Sequence, residues 1–133
     1  MKILFSTFKD VGHITPLLVY ARYLRDVGHD VRVSAQAAAA SMLQQAGLAH
    51  ALVDDPPAEE LREVMGKVDA LKGDDAIAVG FREGFAGALA RSALPKLQQT
   101  IREWQPHLIV RESAEFASLV AAEQAGIPLA YTS

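Results

Sequence analysis

The chain has 133 residues, half of them hydrophobic, with a net charge of -3 and no cysteine. That is one domain at most, with enough apolar material for a core and too much for disorder. The acidic balance argues against a nucleic-acid binder, the lack of thiols excludes disulfides and thiolate metal sites, and no stretch approaches the roughly 20 apolar residues of a membrane helix. The N-terminus runs directly into a strand with no signal-peptide pattern, so a cytoplasmic location is expected.

Residues 2–7 read as a buried strand, because Ile3, Leu4 and Phe5 form a short apolar run. A loop carrying Phe8 follows. Gly12 is expected to break the pattern with backbone angles that other residues avoid. Helix one is expected over about 14–28, with Pro16 in its first turn, where a missing N–H costs nothing. Ile14, Leu17, Leu18, Ala21 and Leu24 fall on one helical face. Gly28 closes the helix, and His29 and Asp30 form the turn. Val31 to Ser34 is strand two. Ala37 to Ala46 is helical and stops at Gly47, and Leu48 to Val53 is strand three. This βαβαβ alternation implies parallel strands with right-handed crossovers.

Asp54-Asp55-Pro56-Pro57 breaks the rhythm. Glu59 to Leu71 is expected to be helical, and Lys72-Gly73-Asp74-Asp75 a loop. Asp75 to Trp104 reads as helix, in one or two pieces. Gly80, Gly84 and Gly87 weaken its first part, each by up to about 1 kcal/mol against alanine. Leu94, Leu97, Ile101 and Trp104 share a face in the second part, and Pro106 stops it. His107 to Arg111 is strand four. Ser113 suits the N-cap of a helix reaching Gln124, and Gly126 ends it. Ile127 to Tyr131 begins strand five, and the chain stops at Ser133.

Five parallel strands in this order suggest a Rossmann-like open sheet, 3-2-1-4-5, with helices on both faces. The switch point lies between strands one and four, at the sheet edge where such folds bind ligands. His13 follows strand one and Glu112 follows strand four, so this topology makes them neighbours. An imidazole held by a carboxylate is the base-and-orienter pair that takes a proton from a hydroxyl. Each residue also has a plainer reading: a loop histidine is often structural, and Glu112 can simply favour a helix dipole. Phe81 and Phe85, four apart, either line an apolar pocket or anchor their helix on the core, and the second reading is preferred. Phe8 is a comparable pocket candidate. Met42 and Met65 read as packing residues, and His29 and His50 as surface or turn residues. Glu59-Glu60 and Asp74-Asp75 read as solvated faces or helix starts.

Gly12-His13-Ile14-Thr15-Pro16-Leu17-Leu18, with Gly28-His29-Asp30-Val31-Arg32-Val33, resembles the opening of UDP-glycosyltransferase-like enzymes of GT-B fold. The nearest likeness is to bacterial members acting on macrolides, polyketides and related natural products. Gln105 to Glu112, with Ala121-Ala122 and Gly126-Ile127-Pro128, resembles the family's fourth strand and following helix. The resemblance implies His13 as catalytic base and Glu112 in place of the aspartate that pairs with it. His107 stands where the family often has an aspartate, at the opposite sheet edge, and is expected to be structural. Gly12, Thr15, Ser113, Phe8, Phe81 and Phe85 become candidate substrate contacts; residues 54–92 match no motif, though in the family this region shapes the acceptor pocket and varies widely. The implied reaction is inverting and metal-independent. It needs no cofactor, only a UDP- or dTDP-sugar donor and a small hydroxylated acceptor. The resemblance covers only the acceptor-side domain. The chain is therefore expected to be an N-terminal fragment that lacks its donor-binding domain, is inactive alone and is prone to self-association through a bare sheet edge. A non-catalytic binding module, or the acceptor subunit of a split enzyme, is the alternative. A nucleotide- or flavin-binding domain is disfavoured because Gly-x-Gly-x-x-Gly is missing from the first loop.

Overall fold

The computed structural model describes residues 1–132; Ser133, where the sequence reading ends strand five, lies outside them. Five parallel strands form one sheet: β1 (Lys2–Ser6), β2 (Asp30–Gln36), β3 (Ala49–Val53), β4 (Leu108–Glu112) and β5 (Leu129–Thr132). Their order is 3-2-1-4-5, as expected. β1 is central, pairing Ile3 with Val31 on one side and with Leu108 on the other.

Side chains alternate across a strand, and β1 feeds both faces. Ile3 and Phe5 pack with Val31, Val33 and Ala35 under α1 (Val11–Asp26) and α2 (Ala40–Gln45), which follows a single 3-10 turn. Leu4 points the other way. It joins Ile109, Val53 and the inner faces of α5 (Ala90–Trp104) and α6 (Ala117–Ala125), among them Leu97, Ile101 and Ala121. Each fully buried aliphatic side chain contributes on the order of 1.5–3 kcal/mol relative to exposure. Both faces are covered, which is why central β1 carries the unbroken apolar run Ile3-Leu4-Phe5.

Several local expectations change. α1 begins at Val11, three residues early, so Gly12 lies inside the helix with an ordinary negative φ. Asp10 supplies the reason: its carbonyl accepts the N–H groups of His13 (2.9 Å) and Ile14 (3.0 Å) and starts the ladder. Pro16 consequently falls in the second turn rather than the first. The expected loop at 72–75 is instead the start of α4 (Gly73–Val79), with Asp74 and Asp75 in its first turn, where carboxylates oppose the helix dipole. Glu59 and Glu60 do the same for α3 (Ala58–Asp69). From α4 to α5 the helix is continuous, but Gly80–Leu89 is wound as a π-helix. Helical periodicity does not reveal that change of winding.

β4 runs one residue further than expected, and α6 starts four residues after Ser113. Ser113 is therefore not its N-cap; its hydroxyl donates to Glu112 Oε1 at 3.0 Å. The capping role falls to Glu115, whose carboxylate accepts the Ser118 N–H at 3.1 Å. α5 ends on Gln105 in the left-handed region, ahead of Pro106. Among the described residues no helix is long and apolar enough to cross a membrane.

Candidate active site

The carboxyl ends of β1 and β4 lie side by side, with Ser6 in register with Arg111. Beyond Ser6 the chain is pinned on its way to α1. Thr7 N–H donates to Ser34 O (3.0 Å), Lys9 N–H to the buried Gln36 side-chain carbonyl (2.8 Å), and Lys9 Nζ reaches Asp55 (2.8 Å). These ties fix the first turn of α1, and with it His13.

His13 Nδ1 lies 3.2 Å from Glu112 Oε2, with side-chain exposures of 32% and 14%. The carboxylate is itself held: Ala114 N–H donates to Oε2 at 2.9 Å, and Ser113 Oγ donates to Oε1. A carboxylate beside Nδ1 places the neutral ring's proton there and leaves the Nε2 lone pair free. The sequence reading brought these two residues together through topology alone, and they do meet. Glu112 is the last residue of β4 rather than the first of the loop.

Aromatic rings wall the imidazole. Phe8, which is buried, meets it edge-on with centroids 5.4 Å apart, and Phe85 lies at 5.7 Å. Phe81 meets Phe85 at a tilt, with centroids 5.3 Å apart, and is 44% exposed. The preferred reading of Phe81 and Phe85 as core anchors is thus corrected: neither joins the buried core, and Phe85 faces the imidazole instead. Phe85 also borders an apolar cavity of about 290 Å³ between α3 and the π-helical segment, lined by Leu61, Val64, Met65, Val68 and Leu89. Met65, expected to be a packing residue, is exposed at this cavity. Gly80 and Gly84 form part of its wall, and a Cβ there would sit 3.7 Å from Val68 and 3.6 Å from Val64, filling space without a clash. Gly12 and Thr15 are exposed on α1 near His13. Among the described residues, no three His, Cys, Asp or Glu side chains are grouped as metal ligands would be.

Three residues escaped the sequence reading. Phe116 meets Phe81 edge-on at 6.5 Å. Arg111 clamps the loop after β4, its Nη1 donating to the carbonyls of Ser113 (2.9 Å) and Glu115 (2.8 Å) while the guanidinium covers the Phe116 ring. Glu115 is buried, 2% exposed. Burial pushes its carboxyl above the ordinary glutamate range, while hydrogen bonds from Ser118, Ser6 and Ala117 pull the other way. An arginine at the end of a buried strand, followed by Glu-x-x-Ser ahead of an apolar helix, was the available signal.

A family model described as "Erythromycin biosynthesis protein CIII-like, N-terminal domain" matches residues 22–133, a span that includes Glu112 and begins after His13. The chain is 31% identical over 130 residues to L-demethylnoviosyl transferase of Streptomyces niveus, covering 96% of this chain and 33% of the relative. It is 29% identical over 155 residues to aclacinomycin-T 2-deoxy-L-fucose transferase of Streptomyces galilaeus, covering 95% and 35%. The chain thus spans about a third of the length of the curated relatives it matches. Among solved structures, the Streptomyces nogalater glycosyltransferase SnogD superposes with a TM-score of 0.74 at 26% identity, covering 99% of this chain and 33% of that one. The Streptomyces sp. SF2575 glycosyltransferase SsfS6, complexed with thymidine diphosphate, gives 0.74 at 21% identity, covering 99% and 38%.

Proposed function

The chain belongs to the erythromycin biosynthesis protein CIII-like family, matching its N-terminal domain, and from that premise we propose that it is the acceptor-side domain of an antibiotic-type glycosyltransferase. The whole protein moves a sugar from a nucleotide-sugar donor to a hydroxyl of a small, largely apolar natural-product acceptor. The observation that carries this reading is the 3.2 Å approach of Glu112 Oε2 to His13 Nδ1 within an aromatic wall.

His13 Nε2 takes the proton of the acceptor hydroxyl. The freed oxygen pair attacks the anomeric carbon from the face opposite the diphosphate, which departs with the electrons of the glycosidic bond, so configuration inverts. Glu112 holds the imidazole in the required tautomer and stabilises the imidazolium that forms. Phe8, Phe81 and Phe85 exclude water around the base, which strengthens that interaction. The apolar cavity beside Phe85 receives the hydrocarbon part of the acceptor, and Gly12, Thr15 and Ser113 border the approach to His13. A UDP- or dTDP-sugar is the donor, held by a second domain outside this chain; the thymidine diphosphate bound by SsfS6 supports the dTDP choice.

The test is transfer by the full-length protein, using dTDP- and UDP-sugars with a panel of hydroxylated polyketide acceptors and mass detection of the glycoside. Product from full-length protein, lost in His13→Ala, is expected. The 133-residue chain alone is expected to give none. Undiminished transfer by His13→Ala would remove the proposed base.

A further inference from the structure

Beside the half-buried His13–Glu112 pair lies a second glutamate that the reaction above does not use. Glu115 is knotted into the loop bearing Glu112 through both main chain and side chain. Its N–H donates to Glu112 O at 3.1 Å, and its carbonyl accepts from Arg111 Nη1 at 2.8 Å. Its buried carboxylate accepts from Ser118 N–H at 3.1 Å and from the Ser118 hydroxyl, both at the start of α6.

We infer that Glu115 is a positioning residue for the His13–Glu112 pair, its buried carboxyl tying the loop from which Glu112 reaches the imidazole to the start of α6. A plain surface cap would be exposed and bonded to α6 alone. Glu115 is buried and also shares a main-chain hydrogen bond with Glu112 itself, so the set of its carboxyl bears on the 3.2 Å contact. The charged and titratable groups nearest in this network are Glu112, His13 and Arg111. Replacing one carboxylate oxygen by an amide NH2 turns an acceptor toward donors and loosens the loop while preserving volume. The inference rests on the functional reading only for its kinetic consequence.

The deciding experiment is 15N NMR of histidine-labelled protein, with the His13 signals assigned through His13→Gln. Glu115→Gln is expected to shift neutral His13 from the Nδ1–H toward the Nε2–H tautomer with helical content unchanged. In the full-length protein it is expected to lower kcat about tenfold, as loss of an outer-shell partner of a functional histidine does, with acceptor KM held. If Glu115→Gln lowers the melting temperature yet leaves the His13 tautomer ratio as in the parent, the carboxyl is merely structural and the inference falls. Should Glu115→Gln not fold, Ser118→Ala removes one donor and keeps the acid. The same tautomer shift in smaller measure supports the inference, and no shift overturns it. The tautomer is read without sugar transfer, so this outcome is separate from that of His13→Ala, which bears on the reaction alone.

Discussion

A histidine lies beyond each end of the paired strands β1 and β4, and the two differ in what faces Nδ1. At the carboxyl ends of β1 and β4, His13 Nδ1 meets a carboxylate. At the amino ends, His107 Nδ1 accepts the Lys2 N–H at 2.8 Å, while the His107 N–H donates to Lys2 O at 2.8 Å. A backbone donor places the His107 proton on Nε2 and uses Nδ1 to staple two strands. A carboxylate places the His13 proton on Nδ1 and leaves Nε2 for chemistry. Position beside a strand end does not set a histidine's tautomer; whether a donor or an acceptor faces its Nδ1 does.

The sharpest way to break this comparison is to delete both rings. His13→Ala in the full-length protein is expected to reduce kcat by about 10²–10⁴-fold, the range of a positioned general base, whereas His107→Ala leaves kcat within about threefold. Comparable losses in initial-rate assays would erase the distinction. Next in size is Glu112→Gln, which puts an amide against Nδ1 and permits the wrong tautomer. About a hundredfold loss of kcat is expected, with acceptor KM little changed, and a parent-like rate would show that the carboxylate is idle. The pocket beside His13 yields a prediction with opposed signs. Gly84→Ala adds a methyl in ordinary contact with Val64. It should raise unfolding free energy by up to about 1 kcal/mol through helix propensity. Its methyl should also raise KM roughly tenfold for the bulkiest acceptor while sparing small ones, as one misplaced methylene does in an apolar pocket. Uniform KM across acceptor sizes would detach the cavity from binding. The smallest expected effect is at the staple: His107→Gln can still accept from Lys2, and urea unfolding should register a loss of about 1 kcal/mol or less.

A pH prediction follows from Glu115. Its carboxyl is raised in the folded chain chiefly by burial, so between the ordinary glutamate range and that raised value the native state holds more protons than the unfolded one. Stability from this group is full at lower pH and falls as pH climbs through that window. Urea unfolding from weakly acidic to neutral pH should show the fall in the parent and a flatter profile in Glu115→Gln. Equal slopes would mean the carboxyl titrates normally.

Much of this was legible in the sequence, for physical reasons. β1 announces itself because a strand buried on both faces carries an unbroken apolar run, Ile3-Leu4-Phe5, and the later strands are marked off by the glycines and helical stretches between them. Strand order then follows from the alternation, and it brings His13 to Glu112 without any knowledge of side-chain placement. The errors arose where local rules compete. Ser113 is a good N-cap in isolation, but the nearby Glu112 carboxylate accepts its hydroxyl. Gly12 looks like a breaker, but the Asp10 carbonyl begins the helix before it. Phe81 and Phe85 have core spacing, and only the packed structure shows that neither joins the core and that Phe85 faces the imidazole. Glu115 was invisible because nothing in sequence says that a charged residue is buried.

The winding of Gly80–Leu89 has a consequence for how such a domain diversifies. A π-helix closes its hydrogen bonds over one residue more than an α-helix. Deleting a single residue from it would restore the tighter ladder and turn everything on its N-terminal side by about 100°, while α5 stays docked on the sheet. Phe81 would swing off the Phe85 and Phe116 rings, and another side chain of α4 or the π-helical segment would take its place. A lineage can therefore re-face its pocket with one codon gained or lost, leaving both the scaffold and the His13–Glu112 pair untouched.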